Sequence, residues 1–302
     1  MTTTLEETTP TTQVSPPASA PEQGTRPFPL LRHSLVLADR AVRKIRRTPE
    51  QFIDVTLQPI IFVILFVYVF GGAISGSTHD YLQYVLPAIM VQTVLFSSLS
   101  IGVNLNTDIK KGVFDRFRSL PIGRSAPLIG AVSAEVVRFG TSVIVLMGFG
   151  YALGFRVGTN PLSALAGCLL AIAFALCMSW VAVFLGTWLR ESGAVQGIGF
   201  LVMFPLTFGS NMFVPTSSLP GWLQGWVKIN PVTHLTDAIR GLLVGGPVGG
   251  PVGWSVLTGA IILAIFAPLA VATYRRKTNY LPSALPRSRS IACSRGSVAP
   301  SW

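Results

Sequence analysis

Glu135 and Arg138 lie three residues apart in APLIGAVSAEVVRFGTSVIVLMGFGYALG, an apolar run in which they are the only charged side chains. That spacing puts them on one face of a helix. A carboxylate and a guanidinium so placed can pair structurally or relay a proton. An unpaired charge at the bilayer centre costs about 2.5–3.5 kcal/mol on the insertion scale, and pairing or a position near a span's end reduces this. No second acidic residue lies inside another apolar run, so a relay has no next station and the structural pair is the better reading. Other chemistry-bearing residues are sparse. His33, His79 and His234 are too scattered to share a metal or serve one catalytic site. No G-x-x-x-x-G-K-[ST], nor any Gly-Lys pair, is present to cradle a phosphate, and neither G-x-S-x-G nor H-E-x-x-H occurs. Cys168 and Cys177 fall in an apolar run and Cys293 near the end of the chain, without disulfide or zinc spacing. Enzyme chemistry and ion-gradient coupling are both disfavoured. A transporter powered from elsewhere, or a pore, remains.

The elements that hold these residues are membrane spans. The chain is 50% hydrophobic and only 12% charged, and uncharged windows run over 55–78, 81–107, 157–189, 192–227 and 241–274. Each exceeds the roughly 20 apolar residues that cross a bilayer. The expected architecture is all-α, with six transmembrane helices near 53–74, 82–106, 127–153, 162–189, 194–214 and 254–274. The net charge of +11 is placed as an orientation signal rather than as a nucleic-acid footprint. Nineteen of the 23 Lys and Arg residues fall before the first span, in the 107–126 loop, at Arg190 or after Tyr274, which puts both termini in the cytoplasm. Residues 1–26 are rich in Thr, Pro and Ser and lack an apolar run, so they read as a disordered tail rather than a cleaved signal peptide.

Three amphipathic stretches flank the spans. LLRHSLVLADRAVRKIRRTPE repeats apolar residues at helical spacing among basic ones, including Arg40, Arg43, Arg46 and Arg47, and suits a helix lying in the cytoplasmic interface. In DIKKGVFDRFRSLPIGRSAP, Ile109, Val113, Phe117 and Leu120 share a face that Phe114 widens, while Asp115 and Arg118 point away. Thr107 or Asp108 can cap this segment, and Pro121 stops it. Gly112 weakens it by about 1 kcal/mol, so the helix needs a surface to rest on, either the membrane or another protein. The third stretch contains Trp222 and Trp226 in a short interfacial helix. Asn230 and Pro231 then start a second helix, in which Asp237 and Arg240 can pair. GGPVGGP after it reads as a flexible break.

In their order, these pieces resemble the membrane subunit of type-2 ABC exporters, particularly the daunorubicin-resistance-type permeases. Three segments carry the likeness: DIKKGVFDRFRSLPIGRSAPLIG; FPLTFGSNMFVPTSSLPGWLQGWVKINPVTHLTDAIRGLL; and the basic TYRRK. The resemblance covers residues 30–278, leaving tails at 1–29 and 279–302. It implies a permease homodimer joined to two copies of a separate ATPase subunit, which would bind ATP and Mg. Residues 108–120 would be a coupling helix docking on that ATPase, 30–48 an elbow helix, and 216–242 an outer cap of short re-entrant helices before span six.

The substrate path implied by alternating access lies between two copies, on spans two and five. Phe96, Asn104, Phe204, Phe208, Asn211 and Met212 are its candidate lining, suited to a hydrophobic or amphiphilic cargo. Against the exporter stands a self-contained channel or secondary carrier, and within the family stands a permease for lipid-linked glycans or polysaccharides.

Overall fold

The computed structural model describes residues 49–111 and 126–279, and every regular element among them is helical. Helix α1 spans Pro49–Leu65, runs into a π-helical turn at Phe66–Phe70 and continues as the short α2, Gly71–Ser75. Ser77 takes an extended backbone and its hydroxyl accepts from the Asp80 amide, which starts α3, Thr78–Lys110. Then come α4, Ala126–Ala152, and α5, Pro161–Trp188, whose first position is the proline a helix start favours. α6 covers Ser192–Phe208, followed by the short α7, Gly221–Ile229, and α8, Pro231–Leu243; α9, Gly249–Asn279, is the last.

Among the described residues, five stretches are long and apolar enough to cross a membrane: Leu57–Ile74, Thr78–Lys110, Glu135–Ala152, Pro161–Trp188 and Gly249–Tyr274. α6 is equally apolar but has only 17 residues. The chain is thus an all-α, multi-span membrane protein.

The helices are not equivalent in their surroundings. In α3, 78% of the apolar window is buried, against 11% in α9, so α3 is the central helix and α9 a rim helix facing outward. α3 packs on α5 at a point where neither helix has room for a side chain. A Cβ at Gly102 would collide with the Ala182 carbonyl oxygen, and one at Gly186 with the Gly102 carbonyl oxygen. This close backbone approach is how membrane helices associate without a hydrophobic driving force between them. Tyr81, Leu86, Ile89 and Leu95 of α3, Phe139 and Leu146 of α4, Phe174 and Val183 of α5, and Leu235 and Ile239 of α8 fill the core.

The structure departs from the sequence expectations at three helix ends. α3 continues to Lys110 and is closed by Lys111, so Thr107 and Asp108 are interior helical residues and cap no new helix. The Thr107 hydroxyl bonds back to the Val103 carbonyl, which keeps it compatible with the helix. α6 stops at Phe208, short of the expected 214, and residues 209–214 are irregular. Finally, Gly249, Gly250 and Pro251 form the first turn of α9 instead of a flexible break. A proline in a first turn lacks only an amide that has no helical partner anyway. The break is confined to 244–248, where Gly245 and Gly246 adopt φ of 113° and 136°, a region open to glycine.

Candidate functional site

Polar side chains converge at both ends of α3, and an aromatic face runs along the side of the bundle. At the N-terminal end of α3, four elements meet. Asn230 caps α8: its Oδ1 accepts from the Val232 amide at 2.9 Å. Its Nδ2 meanwhile donates to the carbonyls of Leu206, at 2.7 Å, and Gly209, at 3.2 Å, at the end of α6. One buried amide therefore serves the start of one helix and the finish of another. About two to three turns further along α8, Arg240 pairs with Asp237 at 2.9 Å, and Asp237 accepts from Asn211 Nδ2 at 2.7 Å. The guanidinium lies 3.9 Å over the ring of Tyr84, and its Nε donates to the Tyr84 carbonyl at 3.3 Å. Tyr84 in turn donates its hydroxyl to the Asn211 carbonyl at 2.6 Å, and Tyr81 donates to the Phe213 carbonyl at 3.0 Å. The irregular segment 209–214 is thereby held by side chains of α3 and α8. Asn211 is 7% exposed, and its Oδ1 has no partner.

At the other end of α3, Asn106 is buried and donates through Nδ2 to the carbonyls of Gly186, at 2.9 Å, and Leu189, at 2.8 Å. These are terminal carbonyls of α5, which have no intrahelical donor. Lys110 forms an ion pair with Glu191 at 2.9 Å, just before α6. On the opposite flank, Arg138 of α4 donates to the Ser97 carbonyl and the Ser100 hydroxyl of α3. Glu135 sits 3.1 Å from the Arg138 guanidinium, so these two charges are held together and against α3.

The aromatic face begins on α6. Phe204 stacks on Phe208 at 4.5 Å, Phe208 on Phe213 at 5.2 Å, and Phe213 on Phe66 of the π-helical turn at 4.4 Å. Phe96 of α3 meets Phe200 at 5.1 Å. Phe200, Phe204, Phe208 and Phe70 are exposed, as are Leu57, Ile61 and Leu65 of α1 and Leu201 of α6.

The residues singled out in the sequence fall into separate places. Phe96, Phe204 and Phe208 lie on the aromatic face, and Asn104 is exposed. Met212 is fully buried and Asn211 is tied into the polar cluster, so neither lines an open surface in this conformation. Asn230, Pro231, Asp237 and Arg240 lie together on α8, whereas Trp222 and Trp226 are exposed on α7. Asp108 and Ile109 occupy the last turn of α3, with Ile109 packed against the core. Val113, Phe114, Asp115, Phe117, Arg118 and Leu120, with Arg40, Arg43, Arg46 and Arg47, lie outside the described residues. Tyr84 and Asn106 were missed. The Tyr81–Tyr84 pair at a span's start is the aromatic-belt signal that could have found the first. For Asn106, the local mark that Asn104 lacks is a glycine four residues away, Gly102.

Residues 32–244 match the ABC-2 type transporter membrane family. The chain is 38% identical to the daunorubicin resistance ABC transporter permease protein DrrB1 of Streptomyces coeruleorubidus over 280 residues, which is 92% of this chain and 98% of that protein. It is 30% identical to the doxorubicin resistance ABC transporter permease protein DrrB of Mycobacterium tuberculosis over 192 residues, 61% of this chain and 66% of that protein. With a family match that runs from residue 32 to the end of α8, the chain belongs to the ABC-2 type transporters as a membrane permease.

Proposed function

We propose that this permease exports a hydrophobic or amphiphilic, aromatic compound, driven by a separate ATPase subunit that binds ATP and Mg. The observation that carries the cargo reading is the exposed aromatic face of α6 and the π-helical turn, with Phe204 and Phe208 turned outward as stacked rings. Rings presented in this way favour a flat apolar ligand. The names of the relatives, which concern daunorubicin and doxorubicin resistance, point to the same class of compound.

In this reading α6 is the fifth of six spans, two copies of the chain form a homodimer with the path between them, and both termini lie in the cytoplasm of a cell-membrane protein. Residues 108–120 couple to the ATPase subunit, 30–48 form the elbow, and 216–242 cap the outer end. The polar cluster of Tyr84, Asn211, Asp237 and Arg240 then holds the outer end shut until ATP binding tilts the spans.

The test is reconstitution of the permease with its ATPase subunit in inverted vesicles. ATP-dependent uptake of daunorubicin should be measurable and should fall when Phe204 and Phe208 are both replaced by Ala. Association with the ATPase subunit should be lost on Phe117→Asp. Full transport by the permease alone, or retention of the ATPase subunit by Phe117→Asp, would refute this assignment.

A further inference from the structure

We infer that Asn106 and Arg138 are positioning residues that carry the motion of the segment 108–120 into the bundle, by making α3 move as one block with α5 and with the middle of α4. The inference rests on the ATPase-coupled reading of the preceding subsection and adds the residues through which the coupling acts.

The segment in question leaves α3 at Lys110, and the chain re-enters the described structure at α4 from Ala126. A displacement of the segment therefore reaches the bundle through these two helix ends. What happens next depends on how the ends are attached. α3 is attached on both sides, and by different means. Towards α5 it has the backbone-to-backbone approach at Gly102 and Gly186, and one turn on, Asn106 fastens the last carbonyls of α5 with both amide hydrogens. Lys110 extends the attachment to Glu191, although both side chains are largely exposed and such a pair is worth little by itself. Towards α4 it has Arg138, whose Nη2 donates to both the Ser97 carbonyl and the Ser100 hydroxyl. Packing alone would let helices slide; hydrogen bonds to fixed carbonyls resist sliding along the axis.

A second observation separates these contacts from ordinary packing. Asn106 Oδ1 and Arg138 Nε are both buried without partners, as is one carboxylate oxygen of Glu135 by hydrogen-bond geometry despite its proximity to Arg138. Unpartnered buried polar atoms cost stability. An apolar residue at 106 would avoid that cost, so the amide is explained by what its Nδ2 holds. Both contact sets lie in the half of α3 nearest the segment, at positions 97–106 of a helix that starts at 78.

The experiment uses the permease co-purified with its ATPase subunit in vesicles, with ATP hydrolysis and cargo uptake read on the same sample. Asn106→Ala and Arg138→Ala should retain the ATPase subunit and its hydrolysis rate. Uptake per ATP should fall about 3- to 30-fold, the span of coupling changes that such networks support. Arg138→Lys, which keeps a cationic nitrogen able to donate to Ser97 and Ser100, should restore part of the ratio. If either Ala variant fails to assemble, Ser100→Ala, which removes a single acceptor of Arg138, should still lower the ratio. A ratio equal to that of the parent in the assembled variants overturns the inference while leaving the exporter reading intact. If the parent chain retrieves no ATPase subunit, the exporter reading fails first and this inference with it.

Discussion

Asn230 is the residue whose replacement separates local from tertiary contributions most cleanly. Its side chain makes three hydrogen bonds, one accepted from the Val232 amide as the α8 cap and two donated to the carbonyls of Leu206 and Gly209. Asn230→Ala removes the cap, worth about 1 kcal/mol. It also strands two carbonyls beside a residue that is 2% exposed, at about 1–3 kcal/mol each. The sum is about 3–7 kcal/mol, or a fall in Tm of at least about 6 °C at 2–4 °C per kcal/mol for a chain of this size. Asn230→Asp preserves the cap acceptor and places a carboxylate at a helix N-terminus, which by itself is favourable. It also points that carboxylate at two carbonyl oxygens. If the tertiary bonds dominate, Asp is as damaging as Ala or worse; if the cap dominates, Asp is near neutral. Thermal unfolding of the detergent-solubilised permease, followed by tryptophan fluorescence, measures both. An Asn230→Asp protein melting within a degree or two of the parent would refute the claim that this amide ties α6 to α8.

Gly102→Ala should destabilise the protein and lower its yield in membranes, because its Cβ meets the Ala182 carbonyl, whereas Gly197→Ala, with open space around it, should be neutral or slightly stabilising; paired melting curves decide this. Tyr81→Phe, which leaves the Phe213 carbonyl without its donor, should cost about 1–3 kcal/mol without altering ATP hydrolysis. Arg240→Lys keeps the charge beside Asp237 but loses the planar fork that covers Tyr84 and reaches its carbonyl, so it should weaken closure of the cluster. Increased accessibility of a cysteine at Asn211 to a water-soluble thiol reagent, relative to the same cysteine with Arg240 intact, is the readout.

The five long apolar helices could be read from the sequence because crossing a bilayer is a one-dimensional requirement: enough apolar residues in a row. Start signals were legible for the same reason. Asn230 followed by Pro231 is a local pattern, and the structure has the cap there. Ends were less so. Nothing in DIKK told that α3 would continue through Asp108 to Lys110, because the helix is extended there by packing of Ile109 and by the Asn106 attachment. The GGPVGGP tract misled in the other direction, since glycine's freedom permits a break without requiring one and only its first two glycines take up positive φ.

The candidate site was legible where it consisted of charges or of a helix start such as Asn230, and opaque at Asn106. Glu135, Arg138, Asp237 and Arg240 stand out in an apolar chain because a charge in a membrane demands an explanation. A neutral amide demands much less, being expensive to bury only when its hydrogen bonds are unmade. Asn104 and Asn106 show the consequence. They are two positions apart, hence about 200° apart around the helix, and one faces outward while the other closes the end of α5. Which of them faces inward depends on how α3 is rotated against α5. The rotation is determined by Gly102 meeting Ala182 and Gly186, contacts made across some eighty residues of chain. Asn106 and Gly102 lie four apart and so on one face of α3, which means the small residue that admits the neighbouring backbone and the amide that fastens it are one device. In a membrane helix, an Asn or Gln four residues from a glycine is therefore a better candidate for a helix-to-helix fastening than an amide elsewhere on the same span.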